Sequence, residues 1–473
     1  MGGLLSVLSN SLDALEAYDS ALNVSQNDVS NASTPGYSNQ VPTFDALPFE
    51  EPGGLSGGVL AGPTQSTDNQ YADQAVRTQL ELQGNYTAQS TALASIQSLF
   101  DVTGQTGVLG DLNSLFQSFS SWATTPDSTS AQQAVLTSAQ ALAQGFQAAA
   151  TTLSQTTTQL NQQITSSVQQ INTIAGQIAT DNAALEQSST PDPGVEANLQ
   201  SSLENLSQIA DTTVTFASNG TATVLLGGQS PLVIGTQQYQ ISASFTDPNP
   251  GPNPNAVPDA HILDSNGNDI TSDISQGSLG GLLNVRNTVL PSLQGDSNQQ
   301  GSLNQLAQKV ADQVNSILTA GTTPSGQPGT ALFTYDPTSP TDVAATLALN
   351  PSMTISALAP ADTSGSNGAA LELSNLGNST APGDEIDGQT ILQFSAGIAT
   401  QVGQSASDAQ TGEGLATTLL SQAQATQTQL SGISLDAEAT QVLQLQEGYQ
   451  AAGKMVSVVE TLATTLMDMG TTA

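Results

Sequence analysis

Two stripes of apolar residues, one at each end of the chain, constrain the fold more than anything between them. Near the start, Leu5, Leu8, Leu12, Leu15, Leu22 and Val29 fall on one helical face at three- and four-residue spacing, with Asp19 and Gln26 in the same register. Near the finish, Val442, Leu445, Tyr449, Ala452, Val456, Val459, Ala463 and Leu466 repeat the pattern. A lone helix cannot bury its own stripe, so each face requires a partner. A chain with one at each end can close the two on each other and offer its other faces to neighbouring molecules. The large side chains of both stripes are therefore the candidate assembly interface. Ordering such helices in isolation is marginal, which predicts terminal segments (1–40 and 435–473) that are largely disordered in a free monomer and helical once packed among copies.

At 473 residues the chain has the length for two to four domains, but only 4% of it is aromatic and 9% charged. That composition suits long helices and modest β units better than one large aromatic core. Four basic residues stand against 40 acids, a formal charge of −36. Arg77, Arg286, Lys309 and Lys454 are scattered, whereas holding a phosphate backbone needs clustered cations. Nucleic-acid binding and attachment to anionic membranes are not expected, and the acidity reads as a solubilising surface adapted to the outside medium. Cysteine is absent, which removes disulfides, thiolate metal sites and cysteine nucleophiles together. The opening Met-Gly-Gly-Leu-Leu-Ser-Val-Leu-Ser-Asn lacks a basic region and a long apolar core, so no cleavable signal peptide is expected. No apolar run reaches the roughly 18 residues that membrane insertion requires.

Residues 4–31 read as a first helix, stopped by Asn31-Ala32-Ser33-Thr34-Pro35-Gly36-Tyr37. Thr34 precedes proline and is pushed out of the helical region, Pro35 and Gly36 suit the centre of a type II turn, and Tyr37 can pack its ring with its hydroxyl wet. A Gly/Pro-rich extended stretch follows over 41–63. Ala75, Leu82, Tyr86, Leu93, Ile96 and Phe100 then mark a helix, broken at 103–110. Leu112, Leu115, Phe116, Phe119 and Trp122 form a compact face before a long helix lined by Leu160, Ile164, Val168, Ile171 and Ile178. The chain is predicted to turn at 188–194 and to return through Val195, Leu199, Leu203 and Leu206. From Asp211 the period becomes alternating. Asn219-Gly220 signals a hairpin, 247–258 an extended loop, and Asn266-Gly267 another turn. Helices resume with Leu282–Leu293 and 303–317. A mixed loop/β segment occupies about 320–385, and helix returns from Ile391 to Leu430, with an interruption at Thr411-Gly412-Glu413-Gly414. Ser434 or Asp436 is placed to cap the last helix.

The fold class that follows is mainly α with inserted β. It comprises a terminal α-helical coiled-coil domain (1–42 with 431–473), an elongated helical-bundle domain (43–210 with 286–430) and a small outer β domain (211–285).

Chemistry-bearing motifs are sparse. His261 stands alone beside Ile262-Leu263, so packing or solvent contact is its expected role. Asp264-Ser265-Asn266-Gly267-Asn268-Asp269 is too irregular for a calcium loop, having Asp269 where glycine is needed, and reads as a β-turn. No nucleophile elbow or phosphate loop occurs. No enzyme, metal site or cofactor is expected.

The ends resemble a known class. Ser25-Gln26-Asn27-Asp28-Val29-Ser30-Asn31-Ala32-Ser33-Thr34-Pro35-Gly36-Tyr37-Ser38 is similar to the N-terminal signature of bacterial axial flagellar proteins, with Asn31, Thr34, Pro35, Gly36 and Tyr37 as its defining positions. Ser431-Gly432-Ile433-Ser434-Leu435-Asp436, followed by Glu438-Ala439, Leu445-Gln446, Tyr449-Gln450-Ala451 and Lys454, looks like the matching C-terminal signature. Rod and hook proteins share such ends, but the helical stretch 68–210, Leu225-Leu226-Gly227-Gly228-Gln229, Gly280-Gly281-Leu282-Leu283 with Arg286, and Leu306-Ala307 with Val310-Ala311-Asp312 resemble the flagellar hook-associated protein 1 family. The chain departs from that pattern at Asn39, where a basic residue is usual, and at 198–201, which replace an Asp-x-Arg-Asp element.

The resemblance implies a structural protein of the hook–filament junction, outside the cell, forming a ring of like subunits through its terminal helices. Implied partners are the hook protein, the second hook–filament junction protein, an export chaperone on the C-terminal helix, and the type III export apparatus. The alternatives are another axial protein of hook or rod type, against which the helical interior speaks, and a secreted coiled-coil adhesin, for which no anchor is visible.

Overall fold

A computed structural model describes residues 2–48, 57–100, 103–188, 192–246, 251–253 and 256–471. The first helix, α1 (Gly2–Asn31), stops as its sequence demands. The Thr34 N–H donates to Asn31 O, the Tyr37 N–H donates to Thr34 O, and Gly36 takes φ +75°, the type II turn geometry that a side chain would strain. The extended stretch folds into two antiparallel ladders. In them β1 (Gln40–Val41) pairs with β4 (Gln65–Ser66), and β2 (Phe44–Ala46) pairs with β3 (Val59–Ala61). Part of that stretch, 49–56, lies outside the described residues.

Helix α2 (Gln70–Gln97) is capped by Asn69, whose side chain accepts from the Tyr71 and Ala72 N–H groups. After α3 (Gly107–Thr124), Ser128 caps the 59-residue α4 (Thr129–Gln187), a rod of about 90 Å at 1.5 Å per residue. Residues 189–191 of the expected turn are outside the described residues. The return helix α5 (Pro193–Ile209) then opens with proline in its first turn and Asp192 as cap.

Strands β5 (Thr212–Phe216), β6 (Ala222–Leu226), β7 (Ser230–Ile234) and β8 (Gln237–Gln238) form one antiparallel sheet in chain order, with Asn219-Gly220 turning the first hairpin. The short β9 (Ser242–Ser244) and β10 (His261–Leu263) pair beside it. Half of the expected loop between them, 247–250 and 254–255, is outside the described residues. Asparagines of α4 hold the sheet in place. Asn182 accepts from the Ala222 N–H and donates to Ala222 O and Gly235 O, and Asn172 accepts from the Ile241 N–H and donates to Ile241 O.

The chain returns to helix at Gly277, ahead of the expected Leu282. It runs through α6 (Gly277–Asn284), a π-helical turn at Val285–Val289 and α7 (Leu290–Gln294), then α8 (Ser302–Ala320). The mixed segment holds β11 (Phe333–Thr334), α9 (Val343–Thr346), β12 (Ala348–Leu349) and α10 (Gly368–Asn375). The last helices are α11 (Ile391–Ser431) and α12 (Leu435–Thr471).

One continuous core runs from Trp122, Phe119 and Phe146 in the bundle to Val224, Leu232 and Ile262 of the β insert, so the insert packs along α4. Two expectations fail here. Helix α11 passes unbroken through Gly412, because that glycine admits the Tyr86 ring of α2: a Cβ there would sit 2.5 Å from it. Ala75 faces solvent, because the first half of α2 buries a mixed face of Ala72, Asp73, Val76, Arg77, Glu81 and Asn85 that excludes it.

Candidate assembly interface

The terminal helices α1 and α12 pack antiparallel, α12 through part of the stripe the sequence suggests and α1 through a different face. The buried positions of α1 are small or polar: Ser6 and Ser11 in its first half, then Ala17, Ala21, Ser25 and Asp28. Opposite them α12 buries Glu438, Leu445 and Val459, spaced to fall on one face, with Ala452 half-buried between. Small residues let the axes approach, and the Tyr18 ring fills the dent at Gly448, where a Cβ would come within 2.7 Å of it. Tyr18 also packs its ring against Phe44 of β2.

Of the expected interface, the structure brings Leu445 and Val459 into this seam and leaves Val442 and Val456 at its margin. Tyr449 and Leu466 point outward. On α1 the leucine stripe is not the seam: Leu5 is 66% exposed, Leu12 50% and Val29 45%, while Leu8, Leu15 and Leu22 are half-buried. The expectation that the two stripes close on each other therefore fails on the α1 side, while the α12 stripe supplies Leu445 and Val459 to the seam. Each helix also turns an apolar face outward. On α12 that face carries Leu443, Met455, Val458, Leu462 and Met469. The stripe read from sequence missed it, although spacings of three and four from Met455 to Leu462 carried the signal.

The signature turn locks this pair to the bundle. Asn31 donates to Asn27 O and Thr34 donates to Asn31 Oδ1 at 3.1 Å. Pro35 leads into Gly36, which lies so close to α5 that a Cβ would stand 2.4 Å from Ala197 O and 2.9 Å from Ser201 N. Residues 198–201 thus border the surface that receives the turn. The Tyr37 hydroxyl is not wet: it donates to Asp28 Oδ1 at 2.8 Å, and the Gln40 N–H donates to Asp28 Oδ2 at 2.9 Å. Asn39 donates its N–H to Ser431 O at 3.0 Å, joining the turn to the end of α11. Ser434 caps α12 through a 3.4 Å bond from the Ala437 N–H.

Buried carboxylates cluster at this joint, and the sequence reading singled out none as functional. Burial raises the Asp28 carboxyl above its ordinary range against the opposing Gln40 and Tyr37 hydrogen bonds. Burial, with the nearby Asp28 charge, raises Glu438 as well. On α2, burial and the adjacent Asp68 push Asp73 up to about 7. Burial pushes Glu81 up to about 7 despite bonds from the Thr212 N–H and hydroxyl. Arg77 lies between them with Glu204 nearby and donates to Gln200 Oε1. Gln427 of α11 bridges Asp73 and Glu204 at 2.8 and 3.0 Å. The spacing of Asp73, Arg77 and Glu81 by four places all three on one helical face.

Elsewhere, His261 Nδ1 lies 2.7 Å from Asp269 Oδ2 on the β insert. Asp264 Oδ1 accepts from the Asn266 and Asn268 N–H groups, the geometry of a turn. No group of three or more His, Asp or Glu placed to hold a metal occurs among the described residues, nor any helix long and apolar enough to cross a membrane. What this arrangement can do is pack: it offers outward apolar faces on a helix pair anchored to a long bundle.

A family model described as the helical domain of flagellar hook-associated protein FlgK matches residues 93–333. The chain is 24% identical to flagellar hook-associated protein 1 of Bacillus subtilis (strain 168), over 95% of each. Its fold is similar to that of the flagellar hook junction protein FlgK from Burkholderia pseudomallei. The TM-score is 0.62 at 18% identity, over 76% of this chain and all of that one.

Proposed function

Because the chain belongs to the FlgK family of flagellar hook-associated proteins, we propose that it is a structural component of the hook–filament junction and assembles there through its terminal helices. The observation that carries this reading is the pair α1–α12. Its inner face is satisfied within one chain, while Leu5, Leu12, Val458 and Leu462 are left in water. Apolar faces of that extent mark interaction surfaces. Like subunits stacked around an axis would cover them and form a ring. The hook protein would contact the ring on one side and the second junction protein on the other. Before assembly, an export chaperone would cover the exposed face of α12, and the type III export apparatus would deliver the chain to the extracellular flagellum. A packing role asks for no cofactor and no catalytic group.

Cells lacking the gene test the reading. Hooks without filaments, with filament protein lost to the medium and both defects reversed by the intact gene, are expected. Normal filaments in the deletion strain would refute a junction role.

A further inference from the structure

The outward faces carry an unbalanced charge pattern. Asp19 and Gln26 interrupt the leucine stripe of α1 one heptad apart, and both are exposed. Glu447 and Lys454, also exposed and one heptad apart, lie on the outer face of α12. Three of the chain's four cations are committed internally. Arg77 is buried among carboxylates, Arg286 is buried against Asn161, and Lys309 donates to Gly383 O. Lys454 has no intramolecular partner among the described residues. Asp19 receives only a 3.4 Å contact from Asn23.

Within one chain these groups cannot pair. Tyr18 lies level with Gly448, so antiparallel packing puts Glu447 level with Asp19 and Lys454 level with Leu12, about 10 Å along the axis from Asp19 at 1.5 Å per residue. A like-oriented neighbour docked at the same level would oppose Glu447 to Asp19, which repels. Displaced by one heptad, about 10 Å, it sets Lys454 opposite Asp19 and Glu447 opposite the Gln26 amide, a donor. One displacement thus satisfies both polar interruptions while apolar positions cover the rest. A single polar position in an apolar seam fixes register in this way.

We propose that Lys454 of one copy pairs with Asp19 of the adjacent copy, and that this pair sets the axial register in which the outer face of α12 covers the leucine stripe of α1. The inference rests on assembly of like subunits as proposed above. The chain has no cysteine, so Asp19→Cys with Lys454→Cys reports the pairing directly. Oxidation of assembled junctions is expected to give covalent dimers and higher multimers, while Asp19→Cys with Glu447→Cys stays monomeric. In parallel, Asp19→Lys and Lys454→Asp should each lower incorporation about tenfold or more, as opposed like charges do, and the double exchange should restore it. Junctions that form without cross-links, or a double exchange no better than the singles, would overturn the register. Absence of the unaltered protein from junctions would instead overturn the junction role.

Discussion

The Tyr37 hydroxyl donates a 2.8 Å hydrogen bond to Asp28 Oδ1, closing the turn after α1 onto a carboxylate with no solvent exposure. Tyr37→Phe keeps the ring and removes that donor. A hydrogen bond to a charged group contributes about 1.5–3 kcal/mol, so the joint should loosen by about that much. Hydrogen exchange is the readout: the Gln40 amide, which donates to the same carboxylate, and the first turn of α12 should exchange faster, with α4 unchanged.

Gly36→Ala meets two obstacles at once, the positive φ and the Ala197 carbonyl 2.4 Å from the new carbon. Backbone strain alone is about 1–3 kcal/mol, and the contact forces the turn away from α5. Protection should fall at 34–40 and along the first turns of α5. Unchanged exchange there would show that the turn does not depend on this approach.

Leu12→Asp and Leu445→Asp separate the two faces of the helix pair. Leu445 is 7% exposed and Leu12 50%. Leu445→Asp buries a charge in the seam and should unpair α1 from α12 in the lone chain, with loss of terminal helicity. Leu12→Asp should leave the lone chain's circular dichroism and melting intact yet abolish incorporation. Normal incorporation of Leu12→Asp would remove the leucine stripe from the interface.

The lone chain's terminal pair should be weak. Between α1 and α12 the buried apolar side chains are few, Ala17, Ala21, Leu445 and Val459, against an uninterrupted core along α4. Amides of α1 and α12 are expected to exchange orders of magnitude faster than those of α4, as local stability tracks buried contacts. Equal protection would show that the pair is stable before assembly.

Acid should tighten the joint. Asp73 and Glu81 both titrate near 7 in the folded chain, above their ordinary values. A carboxyl raised by folding contributes stability that is fully present below its unfolded value and is lost as pH rises through the folded one. Asp68, Glu196, Glu204 and Asp211 face the cluster from the neighbouring segments, α11 adds the uncharged Gln427, and Arg77 is the sole cation. Melting temperature should therefore fall as pH rises from about 4.5 to about 7, and Asp73→Asn with Glu81→Gln should flatten that slope. A melting temperature that rises over this range would contradict the sign.

Local signals made much of this protein legible in its sequence. Helix α1 and its stop followed from Pro35-Gly36, the long α4 from its apolar period, and the β5–β6 hairpin from Asn219-Gly220, because turn chemistry and periodicity act over a few residues. Which faces meet was not local. The leucines of α1 spell a seam, yet Ala17 and Ala21 form it, since close approach of two backbones depends on what both helices lack, including the side chain of Gly448. Gly412 reads as a break and serves as a seat for Tyr86, and Asp73, Arg77 and Glu81, charged residues that no local pattern marks as core, lie buried. In each case the deciding partner is hundreds of residues away in sequence or on another helix. Only the tertiary structure sets the distance, the desolvation and the remaining hydrogen bonds.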